Sequence, residues 1–231
     1  MISVLVPTRN ASVQFKSLIH SLSTQCENKS MIEILVKVDD DTTDSKYANY
    51  IPKCWGFKNY RVLSSPRGRG YLDLNNYLHS LARVAQGSIF WLIMDDMIVE
   101  GDWANAILST RDRVPDNIFL AYSHYACSSV KWRDKKFRTT GNANPVVSRE
   151  MYEKLGHFGV DGVSFDSYLR QVAGLLPNRT FLLDIKTAQM FRSRAGVDKK
   201  VVKKKLGKQY YIDLLKNAGI VDFPVSVAYT T

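Results

Sequence analysis

Short apolar runs alternate with helix-like repeats along the first half of the chain. Residues 3–6, 32–38, 60–63 and 88–94 are rich in apolar and β-prone side chains and predict four strands, the first stopped by Pro7. Between them, apolar residues recur every three or four positions, which predicts helices from about residue 12, over about 71–85 and over about 103–113. Strands that alternate with helices in this way predict crossover connections and an α/β fold with a mostly parallel central sheet.

The second half of the chain has a weaker pattern. Its apolar spacing predicts strands at 117–123 and 180–184, a polar loop or edge hairpin at 131–138, helices at 148–155 and 165–173, and a helix after a basic run at 199–208. The sequence contains no internal repeat and no linker-like segment. A single domain over residues 1–231 is therefore predicted.

Composition narrows the class of protein. The formal net charge of +10 attracts phosphate groups of nucleotides, nucleic acids or anionic lipids, although it also serves solubility alone. The three cysteines form no CxxC pair, which favours a reducing compartment. The start of the chain does not resemble a signal peptide, and the most apolar run, 89–94, is too short to cross a bilayer. We therefore expect a cytoplasmic protein whose basic tail touches a membrane surface or is simply a solvated helix face.

Three chemically unusual loops follow predicted strands. They are residues 7–10, the acidic loop 39–44, and the pair Asp95 and Asp96 after the most apolar strand. Ligands of open α/β sheets bind outside the carboxyl ends of the strands, so these loops are expected at one rim. Clustered carboxylates repel one another unless a cation or hydrogen-bond donors compensate.

Each acidic loop has a specific and a general interpretation. Asp95 and Asp96 are suited to Mg²⁺ or Mn²⁺, which prefer oxygen ligands, but an adjacent Asp pair also occurs in solvated loops. Asp39, nearest its strand, is suited to accept a hydrogen bond from a base N–H or a ribose hydroxyl. Arg67 and Arg69 flank glycines just before a helix, where backbone and guanidinium groups bind phosphate.

Taken in order, these segments resemble family-two glycosyltransferases with the GT-A fold. Residues 4–10 resemble their opening strand and loop, and 38–44 resemble their second-strand acidic loop. Residues 68–75 are similar to their glycine loop and the asparagine-bearing helix after it, and 90–96 resemble the strand that carries their DxD metal motif. Segments 144–150 and 155–158 resemble the region before their acceptor-side acid, so that the resemblance covers about residues 1–190.

The resemblance implies a Rossmann-like sheet and a nucleotide-sugar donor of UDP or GDP type. It implies a nucleotide-binding half (1–115), a smaller acceptor-side half (116–190) and a basic helical tail (191–231). Asp96, with Asp95, is implied to hold Mn²⁺ or Mg²⁺. The donor-binding side chains it implies are Pro7, Thr8, Arg9, Asp39, Asp41, Arg67, Arg69, Asn75 and Asp95.

The same resemblance implies an inverting reaction on a carbohydrate, glycolipid or glycoprotein acceptor. Its catalytic base matches Asp166, with Asp161 as the second choice, although a helix N-terminal acid is an equally good description of Asp166. Met94 replaces the first acid of the usual DxD motif. A nucleotidyltransferase and a basic nucleic-acid-binding module are the competing hypotheses, but acids at the strand ends argue against a nucleic-acid partner.

Overall fold

A computed structural model describes residues 1–41, 46–66, 68, 73–127, 144–189 and 206–220. Arg67 and Arg69 lie outside the described residues, as do the predicted loop at 131–138 and most of the basic run at 199–208. Within the described residues, no helix is long and apolar enough to cross a membrane.

Seven helices and one sheet of eight strands make up the described residues. The strands are β1 (Ile2–Thr8), β2 (Ile32–Asp39), β3 (Asn59–Ser65), β4 (Ile89–Leu92), β5 (Met97–Glu100), β6 (Leu120–Cys127), β7 (Pro145–Ser148) and β8 (Thr180–Gln189). The helices are α1 (Ser12–Thr24), α2 (Lys46–Cys54), α3 (Leu74–Val84), α4 (Trp103–Arg111), α5 (Arg149–Leu155), α6 (Phe165–Leu175) and α7 (Lys208–Asn217).

The sheet is mostly parallel, in the order β3-β2-β1-β4-β7-β6-β8-β5. Strands β3, β2, β1 and β4 run parallel to one another, and β6 runs parallel to β8. Strands β7 and β5 run antiparallel to their neighbours. The predicted α/β architecture is confirmed, and its carboxyl-end rim receives the loops after β1, β2 and β4.

Two apolar clusters cover the two faces of this sheet. Because successive side chains of a strand point to opposite faces, alternate residues of β1 and β2 enter different clusters. One cluster joins the sheet to α1 and α4, with Val4, Val6, Ile34 and Val36 among its members. The other joins the sheet to α3, α5, α6 and α7, with Leu5, Leu35 and Leu92 among its members. Burial on both faces explains why β1 and β4 lack polar alternation.

The prediction that Pro7 stops the first strand was wrong, because β1 continues to Thr8. The backbone of Leu5 faces β4, because its carbonyl accepts a hydrogen bond from the Ile93 N–H. Every second residue of a strand faces the same neighbour, so the next residue whose backbone faces β4 is Pro7. At the level of Pro7, β4 has already ended at Leu92. The absence of an N–H on Pro7 therefore costs no hydrogen bond between the two strands. The fourth predicted strand, 88–94, is shortened to β4 because the chain turns at Met94.

Two helices have clear capping contacts at their ends. The Asp102 side chain accepts a hydrogen bond from the Asn105 N–H and begins α4. Ser148 accepts from Met151 to begin α5, which ends at Gly156 with φ 76°. The pattern did not predict α2, β5 or β7. Helix α2 is polar and contains Pro52, and the two strands have only four residues each.

Candidate functional site

The ends of β1 and β4 are joined by a buried hydrogen bond. The Thr8 hydroxyl donates to Asp95 Oδ2 at 2.8 Å, across 87 residues of sequence. Thr8 is the last residue of β1, and Asp95 follows the end of β4 by three residues. The structure therefore brings together two of the three predicted loops.

Asp95 and Asp96 are both buried, with relative exposures of 1% and 6%. The side-chain amide of Gln189, the last residue of β8, donates to Asp96 Oδ2 at 2.8 Å. Within the described residues, no cationic side chain forms an ion pair with Asp96. A buried carboxylate held by a neutral amide favours the binding of a cation. Gln189 was not predicted from the sequence, because a glutamine near a strand end carries no motif.

Asp39 ends β2 on the face covered by α3, and it is 5% exposed. Its Oδ1 lies 2.7 Å from Lys37 Nζ, and Lys37 is itself 4% exposed. The Lys37 ammonium also lies 4.1 Å from the centre of the Tyr77 ring. Burial raises the pKa of Tyr77, and the nearby Asp39 and Asp73 carboxylates raise it further. Sequence reasoning missed Lys37, although a lysine inside an otherwise apolar strand is a signal that could have found it.

Arg9 bridges the loops after β1 and β2. Its guanidinium makes two hydrogen bonds to the Asp41 carboxylate, from Nη2 at 2.8 Å and from Nε at 3.3 Å. Arg9 Nε also lies 3.6 Å from Asp39 Oδ2. The predicted donor-site residues Arg9, Asp39 and Asp41 are therefore close together, with Asp41 exposed and Asp39 buried. Pro7 precedes them in β1 and is buried.

Gly68 anchors the loop that precedes α3. Its N–H donates to the Tyr77 hydroxyl at 2.9 Å. A Cβ at this position would lie 2.4 Å from Asp73 Oδ2 and 2.6 Å from the Tyr77 hydroxyl oxygen. A larger residue here would have to displace Asp73 or Tyr77, and Gly68 is connected to the Lys37–Asp39 pair through Tyr77.

Asn75, predicted to bind the donor, holds a loop in place. Its Nδ2 donates to the carbonyl of Val163 at 2.7 Å and to that of Val160 at 3.1 Å. Its Oδ1 is buried and has no hydrogen-bond partner among the described residues. These contacts connect the first turn of α3 to the segment that leads into α6.

The two candidate bases differ in their surroundings. Asp161 is exposed, whereas Asp166 is half-buried in the first turn of α6. Asp166 Oδ1 is buried and has no hydrogen-bond partner among the described residues. Burial raises the pKa of Tyr122, with Arg170 opposing and the Asp166 charge adding to the increase, so these groups lie near one another.

Strand register sets the level of Tyr122 relative to the rim. Tyr122 of β6 pairs with Pro145, and Val146 pairs with Trp91 of β4. Tyr122 is therefore level with Leu92, the residue at which β4 ends. Tyr122, whose pKa the Asp166 charge helps to raise, thus lies toward the same edge of the sheet as Asp95.

The acidic pair Asp95 and Asp96 offers oxygen ligands for a divalent cation. Among the described residues, no group of three or more His, Cys, Asp or Glu side chains is placed to hold a metal ion. Mg²⁺ and similar hard cations commonly bind through one or two carboxylates together with substrate phosphates. Two buried carboxylates, one of them without an ion pair in the described part of the chain, fit such a shared site.

Comparison with solved structures identifies the fold. S. aureus TarS 1-349 in complex with UDP-GlcNAc matches with a TM-score of 0.64 and 13% identity over 95% of this chain and 65% of that chain. The mannosyltransferase PcManGT from Pyrobaculum calidifontis in complex with GDP-Man and Mn²⁺ matches with a TM-score of 0.63 and 16% identity over 84% of this chain and 57% of that chain. In both comparisons the chain spans less than two thirds of the solved chain.

The chain thus has the GT-A fold that its sequence motifs predict. The sequence itself matches no protein-family model and no curated protein. At identities of 13–16% the agreement lies in the fold.

Proposed function

We propose that this chain is a glycosyltransferase that moves a sugar from a nucleoside diphosphate sugar to an acceptor hydroxyl. The observation that carries the proposal is the contact between the Thr8 hydroxyl and the buried Asp95 carboxylate, beside Asp96, at the carboxyl-end rim of the sheet. The solved structures with this fold include complexes with UDP-GlcNAc and with GDP-Man and Mn²⁺, which supports the donor class.

The nucleoside lies against the ends of β1 and β2 in this proposal. Asp39 accepts a hydrogen bond from a base N–H, because an ionised carboxylate offers only acceptors. Arg9 and Asp41 border the same position, and Arg67 and Arg69 are the proposed partners of the diphosphate. Asp95 lies nearest the ribose, and Thr8 orients its carboxylate.

Asp96, with Asp95, is the proposed holder of Mn²⁺ or Mg²⁺. When bound, the cation supplies positive charge for the diphosphate leaving group. The chain's own contribution is to place two oxygen ligands at the rim and to hold one oxygen of Asp96 with the Gln189 amide.

Asp166 is the proposed base for transfer with inversion. Its carboxylate takes the proton of the acceptor hydroxyl, and the acceptor oxygen forms a bond to the anomeric carbon. The bond between that carbon and the diphosphate oxygen breaks, and its electron pair leaves with the nucleoside diphosphate. The buried Oδ1 of Asp166, without a hydrogen-bond partner among the described residues, supports this assignment.

A thermal-shift screen tests the proposal. UDP, GDP, UDP-GlcNAc and GDP-mannose are added with and without Mn²⁺ to the wild type and to Asp96→Ala. A ligand that binds only the folded state raises the melting temperature by mass action, by an increment that grows with ligand concentration. We expect a Mn²⁺-dependent increase for UDP- or GDP-type ligands in the wild type that Asp96→Ala abolishes. If no such nucleotide stabilises the wild type, the proposed function is wrong.

A further inference from the structure

Inside β2, Lys37 and Asp39 form a buried ion pair, of which the proposed mechanism uses Asp39 but not Lys37. Both side chains lie on the sheet face covered by α3, two residues apart in a strand. We propose that Lys37 is a positioning residue that fixes the Asp39 carboxylate, so that the donor site selects bases that present a ring N–H. This inference rests on the proposed function and adds the residue that determines base preference.

The contacts of Lys37 leave its ammonium little freedom. Its Nζ donates to Asp39 Oδ1 at 2.7 Å and to the Val38 carbonyl at 3.3 Å, and it lies over the Tyr77 ring at 4.1 Å. A buried ammonium is costly unless it is paired, and an aromatic face adds a further attraction. Its contacts therefore hold Lys37 at the end of the strand, next to the acid proposed to meet the nucleotide.

The two oxygens of the Asp39 carboxylate face different partners. Oδ1 is engaged by Lys37, whereas Oδ2 faces the Arg9 guanidinium at 3.6 Å, beyond hydrogen-bond distance. Oδ2 is therefore turned toward the loops after β1 and β2, where the nucleoside is proposed to bind. With Oδ1 held, rotation of the carboxylate is restricted, and the direction of Oδ2 is set.

The same unit is connected to the loop before α3. The Tyr77 hydroxyl accepts a hydrogen bond from the Gly68 N–H, while its ring covers Lys37. Lys37, Asp39 and Tyr77 thus form one packed group that joins β2, α3 and the glycine loop. We therefore expect a substitution of Lys37 to change the position of the Asp39 carboxylate directly, and not through a rearrangement of the hydrophobic core.

Base preference follows from hydrogen-bond chemistry. Uracil and guanine carry a ring N–H that a fixed carboxylate can accept, whereas the corresponding ring nitrogens of cytosine and adenine are acceptors. An acceptor facing a carboxylate leaves both groups unpaired, and that loss is costly in a desolvated site. The structure therefore leads us to expect tighter binding of UDP or GDP than of CDP or ADP.

The experiment measures Kd for UDP, GDP, CDP and ADP by titration calorimetry with Mn²⁺, for the wild type and Lys37→Met. The base preference is the Kd for CDP or ADP divided by the Kd for the best-bound uracil or guanine nucleotide. We expect this preference to fall about tenfold or more in Lys37→Met, the equivalent of one lost charge-assisted hydrogen bond. Lys37→Arg keeps a cation and should retain much of the preference. If Lys37 had a purely structural role, Lys37→Met would instead raise the Kd of all four nucleotides by the same factor.

Arg61→Met is the matched control. Arg61 pairs with the buried Glu33 at 2.6 Å near the opposite end of β2, so this variant also removes the cation of a buried carboxylate in the same strand. It should lower the melting temperature and leave the base preference unchanged. If Lys37→Met does not fold, Lys37→Ala, which also removes the donor to Asp39, replaces it, and a folded Ala variant with the full wild-type preference overturns the inference.

The possible failures are distinguishable. A wild type that binds none of the four nucleotides overturns the proposed function and this inference together. A wild type that binds all four equally, or a folded Lys37→Met protein that keeps the wild-type preference, overturns only the positioning role of Lys37.

Discussion

The Thr8 hydroxyl donates a hydrogen bond of 2.8 Å to the Asp95 carboxylate, and the carboxylate is 1% exposed. Two strands that are neighbours in the sheet but distant in sequence thereby share one polar contact at the rim. The contact holds in place an acid that the proposed mechanism needs. Its removal is the first of four changes with a predictable result.

Thr8→Val removes this donor while keeping the shape of the side chain. The free energy of unfolding should fall by about 1–3 kcal/mol, because a buried carboxylate loses a hydrogen bond. Urea denaturation measures the change. Thr8→Ser keeps the hydroxyl and serves as the control, and a valine variant that is as stable as the serine variant would show that the contact contributes nothing to stability.

Asp166→Asn tests the proposed base. Turnover should fall by about 10²- to 10⁴-fold, the usual contribution of a positioned general base, while the affinity for the nucleotide donor is unchanged. Product formation and donor Kd are measured separately. The exposed Asp161 provides the comparison through Asp161→Asn. If only Asp161→Asn lost turnover, the catalytic base would be Asp161 and not Asp166.

Asn75→Ala tests whether Asn75 supports the fold or binds the donor. It removes both hydrogen bonds to the carbonyls of Val160 and Val163, so the free energy of unfolding should fall by about 1–3 kcal/mol. Asn76→Ala, at the exposed neighbouring position of α3, should change stability little. A lower donor affinity at unchanged stability would instead favour the donor-binding role predicted from the resemblance.

Glu33 should make stability depend on pH. Burial alone would raise its pKa, but hydrogen bonds from the Gln86 N–H, Ser3 and Arg61 outweigh burial and lower it. A lowered pKa in the folded state means that the stabilisation is complete above the ordinary glutamate pKa. It is then lost as pH falls through the lower, folded-state value.

The comparison variant for this pH effect is Glu33→Gln. Urea unfolding from pH 7 down to pH 3 should show the wild type losing stability below about pH 5 more steeply than the variant. The difference in unfolding free energy between the two proteins should therefore shrink with acidification. Parallel curves for the two proteins would contradict this role of Glu33.

Much of the N-terminal half could be predicted because its signals are local. Strands β1, β2 and β4 are short and mostly apolar, and a parallel sheet brings their carboxyl ends to one rim. That reasoning alone predicts that Thr8, Asp39 and Asp95 lie near one another. The Thr8–Asp95 contact confirms it for two of them, and the ion pair with Arg9 connects Asp39 to the loop after β1.

Other features depended on partners distant in sequence. The resemblance implied a donor-binding role for Asn75, and the structure shows in addition that its amide donates to carbonyls 85 and 88 residues away. Gln189 meets Asp96 only because β8 lies beside β5, an antiparallel pair that the pattern did not predict. Helix α2 escaped prediction because its sequence is polar and contains a proline.

The sequence by itself determined the α/β class, the order of the first four strands, and the identity of the acids that end β2 and follow β4. These follow from apolar periodicity and chain direction, which are local properties. Only the tertiary structure decided which distant partner each acid receives: Arg9 for Asp39, Thr8 for Asp95, and Gln189 for Asp96. Packing of distant elements sets those pairings, and no local pattern encodes them.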